Sequence, residues 1–188
     1  MKWSAGCKSS FIYNSSDIDL TQIIDHQEVI DSAYINKYRY NEQTAAAFIN
    51  TSGSTGKLAY QIGLRTEATW IKGESLFSSE FNKDQYTRVF PTAYLTYEGG
   101  QHNVIAINYG RRINRPDYSL MNPFKYYYSP YTYSEGNPFL RPSYNHNIEL
   151  SHVYKGVFTS TLSYSLEQNG FGYVTFLKEG SDFQVNKQ

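Results

Sequence analysis

Across residues 57–74, KLAYQIGLRTEATWIKGE, apolar and polar side chains alternate. Tyr60, Ile62, Leu64, Thr66, Ala68 and Trp70 share one parity. Gln61, Gly63, Arg65, Glu67 and Thr69 share the other, and only Ile71 breaks the rule. Period two marks a β-strand, because successive Cβ atoms point to opposite faces. The run lasts about a dozen residues, against roughly 5–6 for an ordinary strand. Ten steps of about 3.3 Å, tilted by about 40°, rise roughly 25 Å, the height of the apolar band around a membrane barrel. Tyr60 and Trp70 bracket that band, where amphipathic rings settle between hydrocarbon and water. The pattern therefore expects Tyr60, Ile62, Leu64 and Trp70 to face lipid, and Gln61, Arg65 and Glu67 to face a lumen.

Three later segments repeat the alternation. VIAINYG sets Ile105, Ile107 and Tyr109 against Asn108 and Gly110. NIELSHVYKG sets Ile148, Leu150 and Tyr154 against Asn147, Glu149 and Ser151, with His152 and Val153 exchanged relative to the rule. VFTSTLSYSLE sets Phe158, Leu162, Tyr164 and Leu166 against Thr159, Thr161, Ser163 and Ser165. Ile105, Ile107, Tyr109, Ile148, Leu150, Phe158, Leu162 and Tyr164 join the expected lipid-facing set, and Asn108 and Glu149 the lumen-facing one. In RVFPTAYLTY both parities hold apolar residues and Pro91 removes a ladder donor, so the period leaves the lipid face of 85–97 open.

The rhythm places strands at about 3–13, 38–51, 58–72, 85–97, 103–113, 145–155, 157–167 and 171–178. Short stretches of turn formers, TSGSTGK (51–57), EGGQHN (98–103) and KG (155–156), alternate with long irregular ones near 15–37, 73–84 and 111–144. Short turns alternating with long loops are the habit of an up-and-down membrane barrel, whereas a soluble sandwich has more even connections. The expected fold is all-β: an antiparallel up-and-down transmembrane β-barrel segment of about 7–8 long strands, with short periplasmic turns and long extracellular loops. Residues 1–188 read as one partial barrel domain without a plug.

Composition sharpens this reading. The 188 residues carry no formal net charge, so nothing recommends a nucleic-acid partner. Aromatic residues make up 17%, nineteen of them tyrosine, which suits a pleated surface and an interface better than a helical bundle. No run of about 18 apolar residues marks a transmembrane helix. Cys7 is the sole cysteine, so neither an internal disulfide nor a thiolate metal cluster can form.

The candidate chemistry is sparse. GSTGK (53–57) resembles a phosphate loop but lacks its full spacing, the Ser or Thr after the lysine, and a following helix. His26, His102, His146 and His152 fall at no metal-ligand spacing. Arg65 and Glu67 read as a lumen-side ion pair, with a selectivity role as the alternative. Arg111 and Arg112, at a strand end, would hold the long loop or meet headgroups, with substrate capture as the alternative. No enzyme activity and no cofactor are expected.

One block carries a more specific signal. RRINRP (111–116), LMNPF (120–124), YSEGNPFLRP (133–142) and HNIELS (146–151) resemble a block in the barrels of Bacteroidetes-type TonB-dependent receptors. Upstream, AYQIGLRTEATWIKGES and RVFPTAYLTYE fall in the order such barrels show, so the resemblance spans nearly the whole chain. It implies the outer membrane of a Gram-negative bacterium, outer-membrane lipid as a partner, and uptake of a scarce nutrient such as a siderophore or glycan. The plug and the TonB system would act only through a parent protein of which this chain is a wall segment.

The same resemblance makes 111–144 a long external loop. Pro116, Pro123, Pro130, Pro138 and Pro142 would stiffen it by fixing φ, and Gly136 would permit a turn. Its aromatic residues would pack among themselves or contact an unknown small ligand, with Tyr126, Tyr127, Tyr128, Tyr131 and Tyr133 as the candidates. Two rivals remain. A soluble carbohydrate-binding β-protein would turn Ile62, Leu64, Ile105, Ile107 and Leu162 into one shared interior. A barrel enzyme would need clustered catalytic residues.

Overall fold

The computed structural model describes residues 1–18, 21–24, 27–30, 36–75, 81–129, 131–177 and 184–187. His26, Pro130 and the tail segment 178–183 lie outside the described residues, as do parts of the expected loops 15–37 and 73–84. The chain runs through β1 (Lys2–Ile18), a small hairpin β2 (Thr21–Ile24) and β3 (Gln27–Ile30), then β4 (Asn36–Thr55), β5 (Leu58–Ser75), β6 (Phe81–Glu98) and β7 (Asn103–Asn114). One helical turn, α1 (Tyr118–Met121), precedes the hairpin β8 (Lys125–Ser129) and β9 (Thr132–Glu135). The long strands β10 (Ser143–Tyr154) and β11 (Phe158–Gln168) follow, and then the short β12 (Val174–Leu177) and β13 (Gln184–Lys187).

Seven of these strands form one antiparallel sheet in the order β1-β4-β5-β6-β7-β10-β11. Its outer strands, β1 and β11, are not paired with each other, so the sheet is open rather than closed into a small barrel. The segment expected as an eighth strand at 171–178 is corrected. Its β12 leaves the wall and pairs with β13, which continues onto β9 and β8 in a separate sheet. Several strands also run further into the long connections than alternation suggests: β1 reaches Ile18, β4 starts at Asn36 and β5 reaches Ser75. Backbone pairing continues there although the apolar period has ended, because ladder hydrogen bonds do not depend on which side chains flank them.

Turn chemistry holds the opposite ends together. Lys155 and Gly156 both have positive φ (53° and 68°), and the Val157 amide donates to the Tyr154 carbonyl at 3.1 Å. Two consecutive residues of this kind match the right-handed twist of a hairpin.

Register decides which side chains share a face. Ile62, Leu64 and Trp70 face the same way as Ile49, Ala93, Leu95, Ile105, Ile107, Ile148, Leu150 and Leu162, through direct cross-strand partners. Tyr60, Tyr109, Phe158 and Tyr164 belong to this face too. It is apolar and exposed: Ile62, Leu64 and Ile107 keep 49%, 46% and 47% of their surface. The soluble rival's shared dry interior is therefore not what these residues build. Leu95, opposite both Tyr60 and Ile107, puts the odd-numbered side of β6 on the apolar face, a choice the period alone could not make. His152 also lies on that face, at the turn end of its strand, with its Nε2 2.9 Å from Asn103 Oδ1. Val153 pairs with Val104 and Thr159 on the other side.

The opposite face carries Gln61, Arg65, Glu67, Asn108 and Glu149. Side chains crowd inward here. A Cβ on Gly63 would meet the side-chain oxygens of Asn50 from β4 and Thr92 from β6, so a larger residue would have to push those side chains aside. Towards the long-connection end the face turns aromatic. Tyr38, Tyr40, Ile71 and Tyr86 are buried there with Met121, and Ile113, Tyr118 and Leu140 pack against them. Residues 115–122 thus fold down onto the polar side of the sheet, while β8 and β9 form a separate small hairpin.

Candidate functional site

Glu42 and Thr44 on β4, and Glu67 and Thr69 on β5, stand on the polar face as neighbours, with Thr44 and Thr69 hydroxyls 3.3 Å apart. Two buried carboxylates so placed require a cation, because an unpaired buried charge is costly. Arg115 supplies it. Its Nη2 donates to Glu67 Oε2 at 2.8 Å and to Thr69 Oγ1 at 3.2 Å, and its Nε lies 3.4 Å from Glu42 Oε1. Tyr40 donates its hydroxyl to Glu42 Oε2 at 2.7 Å, and Arg65 approaches Glu67 Oε1 at 3.1 Å. Burial alone would lower the Arg115 pKa. The hydrogen bond to Glu67, together with Tyr86 beside it, outweighs burial and holds the guanidinium above its ordinary value.

Arg115 sits one residue beyond the end of β7, so this clamp fixes where the long connection begins. Pro116 follows, buried, and α1 then delivers Tyr118 to Tyr38 and Tyr40, with ring centroids 5.7 Å and 6.2 Å away. The return leg is tied to the same turn. The Gly136 amide donates to Asn122 O at 3.0 Å and the Asn137 amide to Leu120 O at 2.8 Å, while Asn82 Nδ2 bonds the Pro138 carbonyl. Gly136 does not have positive φ. It is needed because a Cβ there would strike the carbonyl oxygens of Asn122 and Leu120. The turn expected at this glycine is corrected to a close approach of two backbones.

The five candidate tyrosines separate. Tyr126 and Tyr128, 5.2 Å apart edge to face, line a cavity of about 320 Å³ with Tyr118, Phe124, Ser134, Glu135 and Tyr173. Tyr127 packs on Tyr133 at 5.4 Å, and Lys125 Nζ lies 5.1 Å from the Tyr133 ring centre, so this pair stiffens the hairpin. Tyr131 is exposed beside the hairpin turn.

A second cavity, of about 540 Å³, opens on the polar face across β4 to β7. Phe48, Asn50, Arg65, Phe90, Thr92, Tyr94, Arg111 and Arg112 line it. It lies beside a break in the sheet. The β6–β7 ladder stops at Thr92 and Gly110. The Val89 carbonyl, two residues before Pro91, faces β7, since Arg111 Nη1 donates to it at 3.2 Å. Residues two apart in a strand direct their polar groups to the same side, so the amide hydrogen that Pro91 lacks is one β7 would have needed. Across this gap the Arg111 side chain, rather than a β7 amide, donates to β6. Its guanidinium also lies 4.8 Å from the Tyr144 ring centre and 6.0 Å from that of Phe90, and Arg65 lies 5.2 Å from Phe90.

Sequence reasoning singled out Arg65, Glu67, Arg111 and Arg112 but missed Arg115 and Glu42. One signal was available: Glu42 and Glu67 lie on inward parities of consecutive strands, and two inward carboxylates call for a cation. Among the described residues no group of three or more His, Cys, Asp or Glu side chains gathers as a metal site would, and Cys7 is exposed.

An antiparallel sheet exposing one apolar face, while a charged network is buried on the other, is the construction of a membrane β-barrel wall. The model of the outer membrane protein beta-barrel family matches residues 1–186, and the chain belongs to that family. It is a protein of the Gram-negative outer membrane. No curated protein matches it.

Proposed function

We propose that this chain forms wall strands of a TonB-dependent-receptor-like barrel that takes up a small scarce nutrient, and that it acts without enzymatic chemistry. The observation that carries this reading is the inward strap at 115–122, clamped by Arg115 to Glu42 and Glu67. A connection docked across the polar side narrows the passage a solute would follow, which suits selective uptake better than an open pore. The apolar face, from Ile62 to Leu162, meets lipid. The open edges of β1 and β11 need partner strands in the bilayer, because unpaired ladder groups cannot face hydrocarbon. The short turns lie on the periplasmic side and the long connections outside. There Tyr126 and Tyr128 offer stacking surfaces to the solute.

A strain lacking the gene, grown with single ferric siderophores or glycans at limiting supply, tests this. One such nutrient should support markedly less growth than in the parent, and deleting TonB as well should add nothing further. Unchanged growth on all of them, or a defect that simply adds to loss of TonB, would overturn the uptake role.

A further inference from the structure

We infer that the cavity across β4 to β7 binds the oxyanion group, carboxylate or phosphate, of a small soluble solute. Arg65, Arg111 and Arg112 line it, and no carboxylate does. Arg65 and Arg111 lie over the same Phe90 ring, whose own surface is 98% covered, so ring contacts help to orient both guanidinium groups. Arg65 has one carboxylate neighbour, Glu67, already shared with Arg115. Arg111 spends one nitrogen on the Val89 carbonyl, and its buried Nε has no hydrogen-bond partner.

Arg112 is exposed at the cavity wall and makes no ion pair with a described residue. Planar guanidinium forks match carboxylate and phosphate oxygens, and groups already held in place lose little freedom on binding. Phe48 and Tyr94 in the same lining leave room for an apolar body beside the charged group. As binding chemistry the inference stands on this cavity. That the bound solute is cargo rests on the uptake reading above.

The test uses protein purified from outer membranes in an uncharged detergent and titrated calorimetrically with pyrophosphate and with tricarballylate at low salt. Saturable binding that weakens as salt rises is expected. Arg112→Gln, which removes no structural contact, should weaken it at least tenfold. Arg111→Lys keeps the charge but loses the fork and should also weaken it. Arg141→Gln, on the exposed part of the long connection, should leave it unchanged. Equal binding by wild type and Arg112→Gln, no saturable binding by wild type, or equal weakening by Arg141→Gln would overturn the site. Displacement of both probes by phosphatidylglycerol doped into the micelles would assign the site to a lipid headgroup and overturn the soluble solute. Loss of anion binding from the purified protein leaves the growth test untouched, so the two readings fail separately.

Discussion

Replacing Arg115 with alanine removes the cation that pins the long connection to the sheet. Three interactions go: those to Glu67 at 2.8 Å, Thr69 at 3.2 Å and Glu42 at 3.4 Å. Breaking a fully buried pair from one side costs roughly 3–5 kcal/mol, and a single charge-assisted hydrogen bond contributes about 1.5–3 kcal/mol. Arg115 keeps 25% of its side-chain surface, and each glutamate retains a partner, Tyr40 for Glu42 and Arg65 for Glu67. The lower end therefore applies, about 2 kcal/mol. The loss falls on docking of residues 115–122 rather than on the sheet, whose ladders do not involve Arg115. At 1.4 kcal/mol per decade, the strap opens about 30-fold more often. Hydrogen exchange at the Leu120, Asn122, Gly136 and Asn137 amides, all bonded within this strap, reads that opening directly. Those amides should exchange about 30-fold faster while the amides of β5 keep their rates. Glu67→Gln should shift the same amides in the same direction, and the double variant should fall short of the sum. Strap amides within about threefold of wild type in Arg115→Ala would refute the clamp.

Two further perturbations probe the faces and the connection. Leu64→Arg places a charge near the middle of the exposed apolar face and should cost about 2–4 kcal/mol in lipid vesicles, whereas Gln61→Arg on the opposite face should cost under about 0.5 kcal/mol. Denaturant titration followed by Trp70 fluorescence compares them, and equal losses would contradict the assignment of faces. Gly136→Ala forces a methyl against the Asn122 and Leu120 carbonyls and should loosen the β8–β9 hairpin by about 1–3 kcal/mol. Faster chymotryptic cleavage near Tyr126 and Tyr128, with the sheet intact, is the expected result; unchanged cleavage would show that the two backbones can part without cost.

Alternation from Tyr60 to Trp70 and from Phe158 to Leu166 was enough to place long strands, separate their two faces and mark the tight turn at Lys155 and Gly156. These properties are local: side-chain direction follows from pleat geometry, and a two-residue turn follows from the φ values its residues tolerate. What depends on partners distant in sequence could be settled only by the tertiary structure. The facing of β6 came from Leu95 meeting Tyr60 and Ile107. The inward path of the long connection came from Arg115 reaching two carboxylates 73 and 48 residues earlier in the chain. The break beside Pro91, bridged by Arg111, and the departure of β12 from the wall depended likewise on which strands lay alongside. A strand's own period says which residues go together, but only pairing and charge satisfaction across the sheet decide what they meet.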